Sequence, residues 1–227
     1  MKINYCLPVI KENKAEILNL ISEQKNNYQY FEIWIDYVED VDKIFIGELL
    51  TILENKLIIL FRRKNLETIL IDIQKRFDII ELLNGTGAYV DLDVTQKAEL
   101  EYIKDNYIKV NTIVSYHNYQ LTPSDDELLH VIKKMEQYLP KIYKVATMCN
   151  DENDALRLLQ LQQMMKKETK EHIILGMGKF GTITRVFGTL WGNEMIFSPI
   201  STEENSAPGQ LTKPEMEKIF DTLITKN

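Results

Sequence analysis

A lysine sits at the centre of an apolar run, Ile142-Tyr143-Lys144-Val145-Ala146-Thr147-Met148, where a strand would bury its ammonium group. Burial disfavours the charged form of an amine, so a lysine held there has a lowered pKa and a nucleophilic neutral form. Upstream, a similar run, Val110-Asn111-Thr112-Ile113-Val114-Ser115-Tyr116, ends at His117. Histidine is the side chain best suited to move a proton near neutral pH. The pair therefore points to imine chemistry, with a carbonyl substrate held by Lys144 and deprotonated by His117. For Lys144 alone, the plainer alternative is a solvent-facing lysine on an edge strand.

The elements that must position these residues recur along the whole chain. Short apolar runs rich in β-branched and aromatic residues begin near Ile3, Phe31, Leu57, Ala88, Val110, Ile142, Ile173 and Met195. Segments with helical periodicity lie between them: Ala15 to Ser22, Leu66 to Phe77, Glu127 to Tyr138 and Ala155 to Met165, with Lys213 to Ile224 at the end. Strand–helix alternation predicts a parallel sheet covered by helices, and near-continuous apolar strands fit burial on both faces. Eight such units predict a (β/α)8 TIM barrel as a single domain over residues 1–227, with a doubly wound sheet as the competitor. His117, Arg62, Lys179 and Arg185 all follow strand ends, where barrels collect their chemistry, and this favours the barrel. Thr122-Pro123 reads as an N-cap with proline at the first helical position, and Thr212 before Pro214 and Glu215 reads similarly.

Composition narrows the function classes. Of 227 residues, 44% are hydrophobic, enough for one sizeable core and too many for wholesale disorder. The net charge of −7 argues against a nucleic-acid partner. Two cysteines, Cys6 and Cys149, rule out a disulfide framework or a four-cysteine zinc site. There is no signal-peptide pattern at the N-terminus and no apolar run long enough to span a membrane, so a cytoplasmic location is expected. No metal-ligand spacing occurs around the three histidines; His130 and His172 read as solvated or structural.

Gly176-Met177-Gly178-Lys179-Phe180-Gly181 matches G-x-G-x-x-G, which can open a dinucleotide site. Too few elements follow it for that fold, and close approach of the loop to a ligand is the more economical reading. Arg185 could clamp a substrate carboxylate or form an ordinary ion pair. The polar stretch Ser201 to Gln210, with its Pro-Gly pair, reads as a lid or as an exposed loop.

Taken as a set, these motifs resemble the type I, Schiff-base-forming 3-dehydroquinate dehydratases over nearly the full chain. Ser115-Tyr116-His117-Asn118-Tyr119 with Thr122-Pro123 carries the resemblance, as do Tyr143 to Met148, Met177 to Gly181 running on to Arg185, and Ser206-Ala207-Pro208-Gly209-Gln210. The spacing from His117 to Lys144 is also that of the family. The resemblance implies a TIM barrel, no cofactor, a homodimer, and conversion of 3-dehydroquinate to 3-dehydroshikimate. It implies Lys144 as the imine lysine, His117 as general base and acid, and Arg185 as the carboxylate anchor. Glu32, Arg62, Met177, Phe197, Ser206 and Gln210 would line the pocket or its lid.

Three places depart from the family pattern. Glu32-Ile33-Trp34-Ile35-Asp36 keeps the acids of an E-x-R-x-D motif but carries Trp34 in place of the arginine. Leu66-Glu67-Thr68 replace a carboxylate and paired glycines, and Tyr5-Cys6 stand where the first strand commonly has serine or threonine. Three readings follow: the dehydratase, a related Schiff-base lyase or aldolase on another polyol ketone, and a non-catalytic small-molecule binding module. Retention of both His117 and Lys144 favours an enzyme.

Overall fold

The computed structural model describes residues 3–61 and 71–224. Strands β1 (Tyr5–Val9), β2 (Tyr30–Trp34), β3 (Leu57–Leu60), β4 (Tyr89–Asp93), β5 (Asn111–Asn118), β6 (Ile142–Met148), β7 (His172–Met177) and β8 (Ile196–Phe197) are its sheet. They alternate with helices α1 (Lys14–Gln24), α2 (Lys43–Leu53), α3 (Ile73–Leu82), α4 (Lys97–Asp105), α5 (Asp125–Glu136), α6 (Glu152–Lys167), α7 (Gly178–Trp191) and α8 (Lys213–Ile224). The strand order is β7-β6-β5-β4-β3-β2-β1-β8, so β8 returns beside β1. Pairings β1–β8, β2–β3, β3–β4, β4–β5 and β6–β7 are parallel. Sequential parallel order with the last strand rejoining the first is the topology of a (β/α)8 barrel. The expected fold class stands.

The chain packs as two compact units. One comprises Met1–Pro8, Tyr116–Ile132 and Ile142–Asn227; the other comprises Val9–Ser115 and Lys133–Lys141. In both, strand residues are buried almost without interruption, as strands covered on both faces must be. Among the described residues, no helix is long and apolar enough to cross a membrane.

Helix starts follow capping chemistry. Asn13 accepts from the backbone N–H groups of Ala15 and Glu16, Asp42 from Phe45, Asp72 from Lys75, and Asp151 from Asp154. Thr212 and Glu215 form the reciprocal pair expected of a capping box at α8. At two helices the sequence reading needs correction. Asp72 caps α3, so that helix begins at Ile73 and not at Leu66; residues 66–70 lie outside the described residues. At α5 the cap is Ser124, not Thr122: Ser124 Oγ donates to Glu127 (2.7 Å) and accepts from the Glu127 N–H (3.4 Å). That leaves Thr122 for another role.

The Gly176–Gly181 motif packs backbone on backbone. A Cβ on Gly181 would lie 2.3 Å from the Gly176 carbonyl carbon, and one on Gly176 would lie 2.7 Å from the Gly181 Cα. The glycines thus bring the start of α7 against β7. Thr184 completes the junction by accepting from the Gly176 N–H (2.7 Å) and donating to the Gly181 carbonyl (2.6 Å).

Candidate active site

Lys144 occupies the third position of β6 and is 4% exposed. Its Nζ lies 4.1 Å from the centroid of the Phe197 ring, at the end of β8. The ring face attracts a cation, which holds the amine in place over it. Residues two apart share a strand face, so Ile142 and Ala146 flank Lys144, with Met148 beyond on the same face, while Tyr143, Val145 and Thr147 face the other way. The buried position expected from the sequence is observed, and the edge-strand alternative falls away.

His117 is the penultimate residue of β5, the strand next to β6, and is half-buried. Its ring sits 6.4 Å from that of Tyr119, tilted by 30°. His172 starts β7, where its Nδ1 is 2.7 Å from the Lys170 carbonyl and burial holds its pKa below the usual imidazole range. His130 is exposed on α5.

Arg185 lies one residue beyond Thr184 on α7 and is 2% exposed. Its Nε is buried without a hydrogen-bond partner, and among the described residues no carboxylate pairs with the guanidinium. Desolvation pulls its pKa down to about 10, which still leaves it charged at neutral pH. A buried cation lacking a counter-ion is costly and unusual. An anionic group brought to it would offset that cost.

Met177 ends β7 and is buried; its carbonyl accepts from the Cys149 N–H (3.1 Å). Ser206 and Gln210 close a loop on themselves: the Gln210 amide oxygen accepts from Ser206 N (2.7 Å) and Ala207 N (3.3 Å), and its nitrogen donates to Ser206 Oγ (2.9 Å). Pro208 accepts from the Gly178 N–H, which docks the loop on the start of α7. At Gly209, where φ is +75°, a Cβ would meet the Gly178 carbonyl oxygen at 2.4 Å. A larger residue there would push the loop off its seat. The structure therefore gathers Lys144, Phe197, Met177, Arg185, Ser206 and Gln210 in one compact unit, with His117.

Glu32 and Trp34 belong to the other unit. Glu32 is 2% exposed, and its carboxylate accepts from the Trp34 indole N–H at 2.9 Å. The residue that replaces the family arginine thus supplies a neutral donor to Glu32. Asp36 is committed elsewhere, to Arg76 (3.1 Å) and the Ile71 N–H (3.2 Å). Arg62 lies outside the described residues, as do Leu66, Glu67 and Thr68. Sequence reading missed the buried Asp91, which accepts from Ser115 Oγ at 2.6 Å. The period-2 placement of an acid in an apolar run was the available signal.

A half-buried histidine on β5, a buried lysine on β6 and, on α7, a buried arginine with no carboxylate partner among the described residues lie in a (β/α)8 barrel, the fold class of many enzymes. The family pattern of the type I 3-dehydroquinases matches residues 5–227, and the chain belongs to that family. Its activity is the dehydration of 3-dehydroquinate, a carbon–oxygen lyase reaction of the shikimate pathway. A 3-dehydroquinate dehydratase from Methanococcus maripaludis (strain C5) is 29% identical, covering 96% of this chain and 99% of that protein. One from Coxiella burnetii (strain CbuK_Q154) is 28% identical, covering 95% and 91%. Among solved structures, the Geobacillus kaustophilus enzyme superposes with a TM-score of 0.86 at 23% identity, over 100% of this chain and 93% of that one. The type I enzyme from Clostridium difficile, solved with covalently modified comenic acid, gives 0.84 at 23% identity, over 100% and 94%.

Proposed function

We propose that Lys144 forms the covalent imine of this dehydration, that His117 moves the protons, and that Arg185 holds the substrate carboxylate. The buried position of Lys144 over Phe197 is the observation that carries this reading. The amine adds to the substrate ketone and water leaves, giving an iminium that withdraws electrons from the adjacent C2–H bond. His117 takes the C2 proton. The electron pair then moves to expel the C1 hydroxyl, which leaves as water with a proton returned by His117. Water hydrolyses the conjugated imine to the enone product and restores the lysine.

In the same reading Met177, Phe197, Ser206 and Gln210 enclose the substrate. The loop of Ser206 to Gln210 excludes water from the iminium when substrate is bound. A homodimer, a cytoplasmic location and a single cooperative folding domain complete the proposal; light scattering and one urea transition seen by two probes would check the first and last. Replacing His117 with alanine tests the division of labour. Formation of the enone, followed by its absorbance, should fall roughly 10²–10⁴-fold, while Lys144 still forms the imine. Normal turnover by His117→Ala would place the base elsewhere. Turnover by the unsubstituted protein should persist in a chelator.

A further inference from the structure

Thr122 does not cap α5, yet its side chain is buried and fully engaged. Its Oγ1 is 2.8 Å from the Met148 carbonyl oxygen, 2.9 Å from Thr147 Oγ1 and 3.9 Å from Cys149 Sγ. A hydroxyl has one proton to donate and two lone pairs. The carbonyl can only accept, so the Thr122 proton goes to Met148 and the Thr147 hydroxyl must donate to Thr122. The Cys149 thiol is left as a weak second donor. Burial raises the Cys149 pKa and keeps it a thiol, consistent with that role.

We infer that Thr122 is a positioning residue for the dehydration: its hydroxyl fixes the β5–α5 loop, which follows directly on His117 and Asn118 at the end of β5, to the back of strand β6, which carries Lys144. The inference rests on the proposed roles of those two residues. Thr147 faces away from Lys144 on the same strand, so the latch holds the strand without touching the reacting amine. The chain between His117 and Thr122 has little slack. The Asn118 side chain accepts from Gln120 N and Leu121 N (both 3.0 Å), and Asn150 donates to the Gln120 carbonyl (3.0 Å). Arg157 then grips the Pro123 and Thr122 carbonyls at 2.6 and 3.1 Å. One hydroxyl therefore joins the elements that carry the base and the imine lysine.

Thr122→Val keeps the shape and removes the hydroxyl; Thr122→Ser keeps the hydroxyl and removes the methyl. The valine variant should lose about ten- to a hundred-fold in kcat, the scale of a small misplacement of reacting groups. Its KM should stay within about two-fold and its borohydride trapping at Lys144 should remain complete, while the serine variant should match the parent. Should Thr122→Val fail to fold, Thr147→Val removes the hydroxyl partner from the strand side, with the same expectation. Equal losses in the valine and serine variants would overturn the inference, as would a loss confined to KM or a fall in Tm with kcat unchanged. Absence of trapped mass at Lys144 in the unsubstituted protein would overturn it together with the lysine's proposed role, and that result is separable from any Thr122 effect.

Discussion

Two arginines in this protein are equally buried and could hardly be used more differently. Arg76, on α3, is 2% exposed and saturated: it donates to Glu99 (2.7 Å), to Asp36 (3.1 and 3.4 Å) and to the Ile71 carbonyl (3.3 Å), with the Phe61 ring 5.1 Å away. Arg185, also 2% exposed, has an unsatisfied Nε and no carboxylate partner among the described residues. The first is a closed electrostatic unit that ties α3 and α4 to the turn after β2. The second carries a charge that no carboxylate among the described residues neutralises. Burial alone does not separate a structural cation from a binding one; the partner list does.

The two predictions of largest effect invert activity and stability. Arg76→Met leaves Asp36 and Glu99 buried without their cation, and unfolding free energy should drop by about 3–5 kcal/mol in urea titrations. Residual folded protein should keep its KM for 3-dehydroquinate. Arg185→Met removes a buried charge that has no carboxylate partner among the described residues, so its urea midpoint should hold or rise. Its kcat/KM should fall by an amount equivalent to roughly 2–5 kcal/mol, the usual cost of stripping one partner from a buried charged contact. If Arg185→Met unfolds like Arg76→Met, Arg185 is structural and the contrast fails.

A smaller effect sharpens the same distinction. His172 is a buried group that the fold keeps neutral, because desolvation lowers its pKa. The unfolded chain, with a pKa of about 6.5, binds the proton first as pH falls. Stability from neutral His172 is therefore complete above about pH 6.5 and declines below it, toward the lowered folded-state pKa. Urea midpoints measured at about pH 7.5 and 5.5 should show the decline, and His172→Gln should flatten it. An unchanged slope in that variant would assign the acid sensitivity to carboxylates.

Much of this was legible in the sequence, and the failures have physical causes. Lys144 announced itself because an ammonium in an apolar strand is rare enough to need a reason. The barrel followed from strand–helix alternation, and the α8 cap from Thr212 and Glu215. Thr122 misled because two hydroxyls precede α5, and Ser124 with Glu127 three residues on was the better capping-box match. The glycine motif was ambiguous because a tight strand–helix junction and a phosphate loop demand the same missing Cβ atoms. The Asp36–Arg76–Glu99 network was invisible because its members are far apart in the chain and only tertiary packing joins them. Trp34 looked like a loss of function-bearing charge; in the fold its single N–H goes to Glu32.

Lys144 should become covalently bound to substrate during turnover. Borohydride added during turnover of 3-dehydroquinate should reduce the iminium and leave a stable adduct, read by mass spectrometry of the digested protein. The expected result is ligand mass on the peptide containing Lys144, absent from Lys144→Ala and still present in His117→Ala. Label confined to Lys141, or no label at all in a protein that turns substrate over, would contradict the account.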